Sequence, residues 1–456
     1  MHKKIFSLLF IITLSATQTY AYIDPGTGGY LLSSLWSTIV GFFALILGFL
    51  LRFYRYKVKV FFSYMYKERK VLLFSGLAIF LAGTSYAVSL IITPNQDAGV
   101  NYQATKDILQ TGITKYDKEK AFDGYTLFEK GLMDMNGNIV RTWNFSYLPI
   151  LDNKGYYYAQ EGYEMPRWGK FTFDGEPVWI KENMPIHHEI LPLDNGSIFV
   201  LTKDVHEYNG RNVEFGVIAE LDKDGNEISQ WSIWDHLKDF QKFHAPLELD
   251  KEEGNILPEN TKKNLSIWGG EYDYYHLNSF SLVPENSMEK IHRAFTPGNW
   301  ILSFRHGSMV FILDKNTKEI LWSGVYSEIE GQIQGQHAPQ MLQNGSILMF
   351  DNGRYKEQSR VIEVDPVTLK VTWEYSPKNF FTLSQGYVQE LPNGNRLITE
   401  SEKGRIFEIT PNKEIVWDYQ TPETTIVDSE EVAFQIYRAY RYSTEQIQEF
   451  ENKKWE

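Results

Sequence analysis

The chain has 456 residues, of which 43% are hydrophobic and 15% aromatic, and its formal net charge is −13. It contains no cysteine, which excludes disulfides, thiolate metal sites and cysteine nucleophiles. An acidic chain also lacks the basic face that nonspecific binding to phosphate backbones requires, so no nucleic-acid partner is expected.

The first 94 residues predict a membrane anchor. Residues 1–21 have a basic start, an apolar run and small residues near the end, typical of a signal peptide that is cleaved before Tyr22 or kept as a helix. Within residues 22–94, the segments 30–51 and 71–92 are each 22 residues without a charge, long enough to span a bilayer. Buried core helices are the alternative interpretation of these two segments.

Charge sets the expected orientation of the anchor. The loop between the two segments holds seven Lys or Arg against one Glu, which places it in the cytoplasm. Residues after about 95 are then expected on the periplasmic or extracellular side of the cytoplasmic membrane. Residues 1–94 carry a net charge of +7, which leaves −20 for the rest, so an anionic substrate needs a local basic pocket. Residues 95–119 are polar and are interpreted as a linker.

From residue 120 to about 430, a short hairpin phrase recurs: an apolar residue, a turn with Asp or Gly, a short β-like run and a tryptophan. The six copies end at Trp143, Trp179, Trp231, Trp322, Trp373 and Trp417. Repeats of about 40 to 50 residues predict an all-β fold, a β-propeller with four-stranded antiparallel blades. The tryptophans are expected to pack between blades and to carry no chemistry.

Three further features refine this prediction. Asn344 and Gly345 form the strongest hairpin signal, because both residues accept positive φ. The longest interval between successive copies of the tryptophan phrase, from Trp231 to Trp322, contains the irregular segment 235–273. This segment is predicted to be a surface loop near the site. Residues 431–456 are assigned to a C-terminal tail that supplies a closing element and then a short charged helix.

Three histidines each stand at the head of a similar phrase, at the start of a first strand. They are His188 in HHEILPLDNGSIFVL, His276 in YYHLNSFSLVPEN and His337 in QHAPQMLQNGSILMF. First strands of propeller blades surround the central channel, so equivalent positions would bring the imidazoles together at one end. Arg305, one strand after His276, adds a guanidinium suited to a tetrahedral oxyanion. The set indicates a site for a sulfate or phosphate group.

These phrases resemble the bacterial arylsulfotransferases. The resemblance is carried by YDYYHLNSF, ILSFRHGSMVFILDKNTKEILW and GQHAPQMLQNGSILMFDNG, and it covers roughly residues 120–420. It implies a six-bladed propeller, which agrees with the six tryptophans. It also implies transfer of a sulfuryl group from an aryl sulfate donor to a phenol acceptor through a sulfated histidine, without a nucleotide donor or cofactor.

The resemblance also implies roles for residues. His337 would be the nucleophile, and Arg305 and His276 would hold the sulfate oxygens and the bridging ester oxygen, so these three form the predicted catalytic set. The predicted substrate-binding residues are His188, His187, Asn278, His306 and Gln336. For His187 and His306 a solvent-facing or structural position is the alternative, and Asn278 could instead orient His276.

Other interpretations remain open at this point. His337 could be a structural channel histidine bound to a neighbouring loop, and Arg305 could form a buried salt bridge to Asp273 or Glu271. His276 and His188 could be zinc or copper ligands, although no metal is expected. The alternative for the whole protein is a propeller that binds a ligand or a partner protein without turnover. A quinone-dependent dehydrogenase is disfavoured, because no set of metal-binding Glu and Asn residues is evident.

Overall fold

The chain divides into two compact units, Met1–Gln103 and Ala104–Glu456. A computed structural model describes most of the second unit. The described residues are 111–162, 166–244, 246–247, 267–427 and 430–455. The predicted signal peptide and the two predicted membrane helices lie outside these ranges. Within them, no helix is long and apolar enough to cross a bilayer.

Six antiparallel sheets follow one another along the chain as the blades of a propeller. Before them comes β1 (Gly112–Tyr116). Blade 1 has β2 (Gly124–Phe128), β3 (Gly131–Met133) and β4 (Ile139–Arg141). Blade 2 has β5 (Tyr147–Leu151), β6 (Tyr157–Gln160), β7 (Trp168–Phe171) and β8 (Pro177–Lys181). Blade 3 has β9 (His187–Pro192), β10 (Ile198–Tyr208), β11 (Arg211–Leu221) and β12 (Glu227–Ser232).

Between blades 3 and 4 lie a 3-10 turn (Trp234–His236), the short helix α1 (Leu237–Phe240) and β13 (Tyr272–Asp273), which pairs parallel with β11. Blade 4 has β14 (Leu277–Leu282), β15 (Trp300–Phe304), β16 (Met309–Leu313) and β17 (Ile320–Val325), with a 3-10 turn at Arg293–Phe295. Blade 5 has β18 (His337–Met341), β19 (Ile347–Asp351), β20 (Arg360–Val364) and β21 (Val371–Tyr375).

Blade 6 has β22 (Tyr387–Glu390), β23 (Arg396–Glu400), β24 (Arg405–Ile409) and β25 (Ile415–Gln420), with a 3-10 turn at Ser401–Lys403. A hairpin follows, formed by β26 (Thr424–Val427) and β27 (Glu430–Ala433). The chain then forms β28 (Tyr440–Ser443) and the helix α2 (Thr444–Asn452). The six-bladed all-β architecture predicted from the sequence is confirmed.

Both ends of the described chain close the ring. Strand β28 pairs antiparallel with β2, from Gly124 opposite Ser443 to Leu127 opposite Tyr440, and so supplies the inner strand of blade 1. Strand β1 pairs antiparallel with β25 at the outer edge of blade 6. The predicted closing element and terminal helix are therefore present. The propeller extends beyond the boundaries 120 and 430, because strands of four or five residues give too weak a pattern to separate from a linker or a tail.

Each blade is packed between two neighbours, so its middle strands are buried on both faces. All five residues of β15 (WILSF), β16 (MVFIL) and β19 (ILMFD) are buried. A strand covered on both faces has no solvent side, which explains why these sequences are continuous apolar runs without period-two alternation. The inner strands of adjacent blades contact each other around the ring, for example β9 with β14 and β14 with β18.

The predicted packing of the six tryptophans between blades is found, and five of them also make a hydrogen bond. Each of the five donates its indole N–H to a backbone carbonyl in the turn between the third and fourth strands of the next blade. The bonds are Trp143 to Phe173 (3.0 Å), Trp179 to Lys223 (3.1 Å), Trp322 to Pro366 (2.7 Å), Trp373 to Pro411 (3.0 Å) and Trp417 to Met135 (2.9 Å). In the sixth, the indole N–H of Trp231 is buried without an acceptor in the described chain, and its ring meets Trp300 edge to face at 6.0 Å.

This difference gives a matched test of the interblade bond. Trp417 and Trp231 are both buried, at 0% and 7% exposure, but only the Trp417 indole donates a hydrogen bond. Trp417→Phe and Trp231→Phe remove the same atoms, and the first also leaves a buried carbonyl without its donor. We expect Trp417→Phe to lower the free energy of unfolding by about 1–3 kcal/mol more than Trp231→Phe. Denaturant midpoints measure this, and equal losses would show that the bond contributes nothing.

Candidate active site

The inner strands of blades 3, 4 and 5 bring the three predicted histidines together. His188 is the second residue of β9, His276 immediately precedes β14, and His337 begins β18. The rings of His188 and His276 meet edge to face at 5.0 Å. Burial, together with the neighbouring His187, His276 and His337, lowers the pKa of His188 well below its usual range. The predicted convergence of the three imidazoles is therefore found.

The three histidines were expected at equivalent positions of their blades. The structure shows that they are not equivalent. In each blade, the residue whose N–H closes the hairpin turn after the first strand is a common reference position. His188 and His337 lie five positions before that residue, whereas His276 lies seven positions before it. In blade 4 the equivalent position is held by Asn278. The three reference residues are Leu193, Leu342 and Val283. His276 reaches the site from the loop before its strand, and its φ of 51° shows the tight backbone there.

His337 is held in one tautomer by the loop that follows the next strand, β19. Its Nδ1 lies 2.7 Å from Oδ1 of Asn352, and the Asn352 amide nitrogen donates to the carbonyls of Thr382 (2.9 Å) and Gln385 (2.8 Å). Because the amide oxygen can only accept, Nδ1 of His337 carries the proton and Nε2 carries the lone pair. The bond to a neighbouring loop that a structural histidine would make is thus present, and it leaves Nε2 without a partner in the described residues.

The environment of His337 also keeps the ring uncharged. The residue is 4% exposed, and burial together with the Arg305 guanidinium lowers its pKa to about 3. Desolvation and a nearby cation both disfavour the imidazolium. At neutral pH, His337 is therefore a neutral imidazole whose Nε2 carries a lone pair.

His276 is oriented by a buried carboxylate. Its Nδ1 lies 2.8 Å from Oδ2 of Asp273, which also accepts from Nζ of Lys203 at 2.6 Å; Lys203 in turn binds Glu214 at 2.9 Å. Burial raises the pKa of Asp273, but the charges of Lys203 and His276 outweigh this and hold it well below its usual range. Burial lowers the pKa of His276, against the opposing effect of Asp273. His276 therefore also presents a neutral Nε2, beside a carboxylate that would stabilise its protonated form.

His187 holds His188 in the same tautomer. The Nε2 of His187 donates to the Thr202 carbonyl at 3.1 Å, so its Nδ1 accepts from Nδ1 of His188 at 2.7 Å. Burial, reinforced by Lys203, lowers the pKa of His187 to about 3, which keeps this arrangement neutral. Trp268, at the end of the predicted surface loop, packs edge to face on the His187 ring at 5.5 Å. His187 thus orients His188, and the substrate contact predicted for His187 stays a prediction.

Arg305 is not neutralised by a carboxylate. The two carboxylates considered from the sequence have other partners, Lys203 for Asp273 and a different arginine for Glu271. No carboxylate of the described residues lies within 4.0 Å of Arg305, and its buried Nε has no acceptor there. Burial and the charge of Arg354 lower the pKa of Arg305 to about 10, so it stays charged at neutral pH. Its guanidinium is available to an anionic ligand.

Three of the predicted substrate-binding residues, Gln336, Asn278 and His306, are fully buried and hydrogen-bonded within the core. Gln336 and Asn278 are 0% exposed. The Gln336 amide nitrogen binds Oγ of Ser303 at 2.9 Å, and the Asn278 amide nitrogen binds the Gln336 carbonyl at 2.8 Å, joining blades 4 and 5. His306 is 1% exposed, and its Nδ1 donates to the Asp273 carbonyl at 3.0 Å. These hydrogen bonds tie the three side chains into the core, and the substrate contacts predicted for them stay predictions.

Several residues of the site were not predicted from the sequence. Asp273 and Asn352, the partners of the histidines, stand in recognisable places, three residues before His276 and in the Asp-Asn-Gly loop after β19. Arg438 gives no such signal, because it belongs to the segment assigned to the tail. Its Nη1 binds Oε1 of Glu189 at 2.7 Å, directly after His188.

A metal site formed by His276 and His188 was the alternative interpretation of this cluster. Across the residues described by the structure, no group of three His, Cys, Asp or Glu side chains is arranged to hold a metal ion. The Nδ1 atoms of both histidines are bound by Asp273 and His187, which leaves one nitrogen on each ring. Asp273 is itself paired with Lys203, and Arg305 adds a further cation near His276, a lining better suited to an anion.

Comparison with known proteins supports the family assignment. No protein of curated function matches the sequence. Solved structures that resemble it include a protein of unknown function from Bacteroides caccae (13% identity, 70% of this chain and 98% of that chain, TM-score 0.42) and virginiamycin B lyase from Staphylococcus aureus (12%, 71% and 92%, TM-score 0.36). At these TM-scores, neither likeness carries an argument about function. The profile of the arylsulfotransferase (ASST) family matches residues 132–422, well over half of the chain, and the protein belongs to that family.

Proposed function

We propose that this protein transfers a sulfuryl group from an aryl sulfate to a phenol through a sulfated His337, without a nucleotide donor. The observation that carries the proposal is the state of His337: its Nδ1 proton is held by Asn352, its Nε2 is unpartnered in the described chain, and its ring is neutral beside the charged Arg305. A neutral imidazole is a good nucleophile at neutral pH and also a good leaving group. Family membership supports the same reaction class.

In the first half-reaction, Nε2 of His337 attacks the sulfur of the donor. The N–S bond forms, the S–O bond to the aryl group breaks, and the electron pair leaves with the phenolate. Arg305 binds the sulfate oxygens and stabilises the negative charge that gathers on them and on the bridging oxygen. Asn352 stabilises the positive charge that develops on the ring, because its amide oxygen accepts from Nδ1.

In the second half-reaction, a phenol takes the place of the released phenolate. Nε2 of His276 accepts the phenol proton, the phenol oxygen attacks sulfur, the S–N bond breaks, and His337 returns to the neutral state. Asp273 favours this proton transfer, because its carboxylate lies 2.8 Å from Nδ1 of His276 and stabilises the imidazolium. The His188 ring lies 5.0 Å from the His276 ring, centroid to centroid, and its Nε2 has no partner in the described chain, so His188 is the candidate to bind the phenol oxygen.

His337→Asn tests the covalent step. Release of 4-nitrophenol from 4-nitrophenyl sulfate should depend on added phenol in the native protein and disappear in the variant, because Asn cannot form the sulfated intermediate. Without an acceptor, the native protein should give a burst of about one 4-nitrophenol per chain and a mass increase on the peptide that contains His337. A variant that keeps phenol-dependent release would rule out this nucleophile.

His276→Gln is the matched control for that experiment. It leaves the nucleophile and Arg305 in place, so the burst should remain, whereas turnover should fall most with weakly acidic phenols that need a proton acceptor. If both variants lose the burst, His276 acts in the first half-reaction as well. If native protein folds but releases nothing from several aryl sulfates, a propeller that binds ligands without turnover replaces the proposal.

The pH dependence of kcat/KM for the donor should also differ from that of an enzyme whose nucleophile is a histidine of ordinary pKa. The pKa of His337 is lowered to about 3, so the neutral nucleophile persists as the pH falls through 6.5. At pH 5.5 an imidazole of ordinary pKa would be neutral in only about a tenth of the molecules. We expect kcat/KM for the donor to stay within about twofold between pH 7 and 5.5. A tenfold fall, with folding unchanged by intrinsic fluorescence, would contradict a neutral buried nucleophile.

We further propose that residues 22–94 anchor the chain in the cytoplasmic membrane, with the propeller on the outer side. The support is the charge pattern around two uncharged segments, residues 30–51 and 71–92. The chain has no cysteine, so single substitutions report topology cleanly. A membrane-impermeant maleimide should label Lys118→Cys in spheroplasts and Ser63→Cys only after lysis. The reverse pattern would place the propeller in the cytoplasm.

A further inference from the structure

Two arginines of the propeller differ from all the others in the described chain. Of the eleven arginines in those residues, nine lie within 4.0 Å of an Asp or Glu carboxylate: Arg141, Arg167, Arg211, Arg293, Arg360, Arg396, Arg405, Arg438 and Arg441. The two without such a carboxylate are Arg305 and Arg354. Arg305 was predicted as part of the site, and Arg354 was not.

The two unpaired arginines are also neighbours. A Cβ placed on Gly335 would stand 3.1 Å from Cδ of Arg354 and 3.8 Å from Cγ of Arg305, so both stems pack against the same point. Gly335 lies two residues before His337 and has a φ of +69°. Because Gly335 has no side chain, there is room here for the stems of both arginines. The two stems therefore lie next to the strand that begins with His337.

The position of Arg354 is fixed by the loop that also holds His337. Asn352, the partner of His337, is two residues before Arg354. The loop is bound on both sides of Arg354: the Tyr355 N–H donates to Oε1 of Gln334 at 3.0 Å, and the Gly353 N–H donates to the Asp351 carboxylate at 3.3 Å. One short loop therefore delivers the hydrogen-bond acceptor for the nucleophile and a second cation.

Two adjacent guanidiniums without counterions are unfavourable, since like charges repel and both side chains are partly removed from water. The repulsion is evident in Arg305, whose pKa is lowered by burial and by Arg354. The ring of Tyr355 lies 5.0 Å from the Arg354 guanidinium, which orients it but does not neutralise it. An anion bound between the two would relieve the repulsion and satisfy donors from both.

We propose that Arg354 is a second guanidinium of the donor site and binds the oxygens of the sulfuryl group together with Arg305. The inference rests on the proposed sulfuryl transfer for its substrate, but the anion site itself does not. A sulfate ester carries one negative charge, and cleavage of the S–O bond adds charge on the leaving oxygen. Two cations are therefore better matched to the transition state than to the bound ester, which is the condition for faster chemistry.

Binding of inorganic sulfate to the full-length chain tests the site without requiring turnover. Isothermal titration calorimetry at constant ionic strength should detect sulfate binding in the native protein. Arg354→Gln should weaken it by roughly tenfold or more, as expected for the loss of charge-assisted hydrogen bonds, and Arg354→Lys should recover part of the loss. The matched control is Arg293→Gln, an exposed arginine paired with Glu319 on the same propeller, which should leave sulfate binding unchanged.

Kinetics with 4-nitrophenyl sulfate separate the two proposals. Arg354→Gln should lower kcat/KM for the donor by at least the factor lost in sulfate affinity, with the KM for the phenol acceptor unchanged. Sulfate binding that depends on Arg354 in a chain without transfer activity would support the anion site and reject the proposed function. Transfer activity with native donor kinetics in Arg354→Gln, or native sulfate affinity in that variant, would overturn the role of Arg354.

Discussion

The pairing of β28 with β2 is the constraint on which the site depends. A ring of blades is stable only when its first and last members are joined, and here the inner strand of blade 1 comes from the opposite end of the chain. The same strand is tied to blade 6, because Arg441 and Gln389 exchange two hydrogen bonds, Nε2 to carbonyl at 3.1 Å and N–H to Oε1 at 2.7 Å. Closure also delivers Arg438 to Glu189 beside the histidines. The segment that closes the ring therefore also contributes a residue next to the site.

Closure matters chemically because it removes water from the imidazoles. Burial is the largest cause of the lowered pKa of His187, His188, His276 and His337, and in each case it favours the neutral ring. The remainder of the chain after residue 94 carries a net charge of −20, so its long-range field repels an anionic ester. Local cations must outweigh that field, and at distances of a few ångströms they do, because salt and water screen the distant carboxylates.

The sequence predicts the fold well because its repeating features are local. The Trp phrases and the Asn-Gly turns each fix one hairpin, and six copies fix the blade number. The closing strand β28 has four residues and no repeat partner nearby in the chain, so its role depends on a contact between residues more than 300 positions apart. The same reason limits prediction of the site: His337 could be found from its phrase, but the unpaired state of Arg354 depends on which carboxylates fold near it. The shift of His276 by two positions was hidden, because the phrases align only when the turn of each hairpin is known.

The partners of the histidines show what the site requires. His188, His276 and His337 each bind through Nδ1, but the acceptors come from three unrelated places: the preceding residue, a carboxylate three residues earlier, and an amide in the loop after the next strand. A repeated fold would supply the same partner three times if the partner were only a feature of the blade. Three different solutions that all leave Nε2 without a partner among the described residues are better explained by a shared chemical need. The convergence of lone pairs, and not the repetition of strands, therefore defines this site.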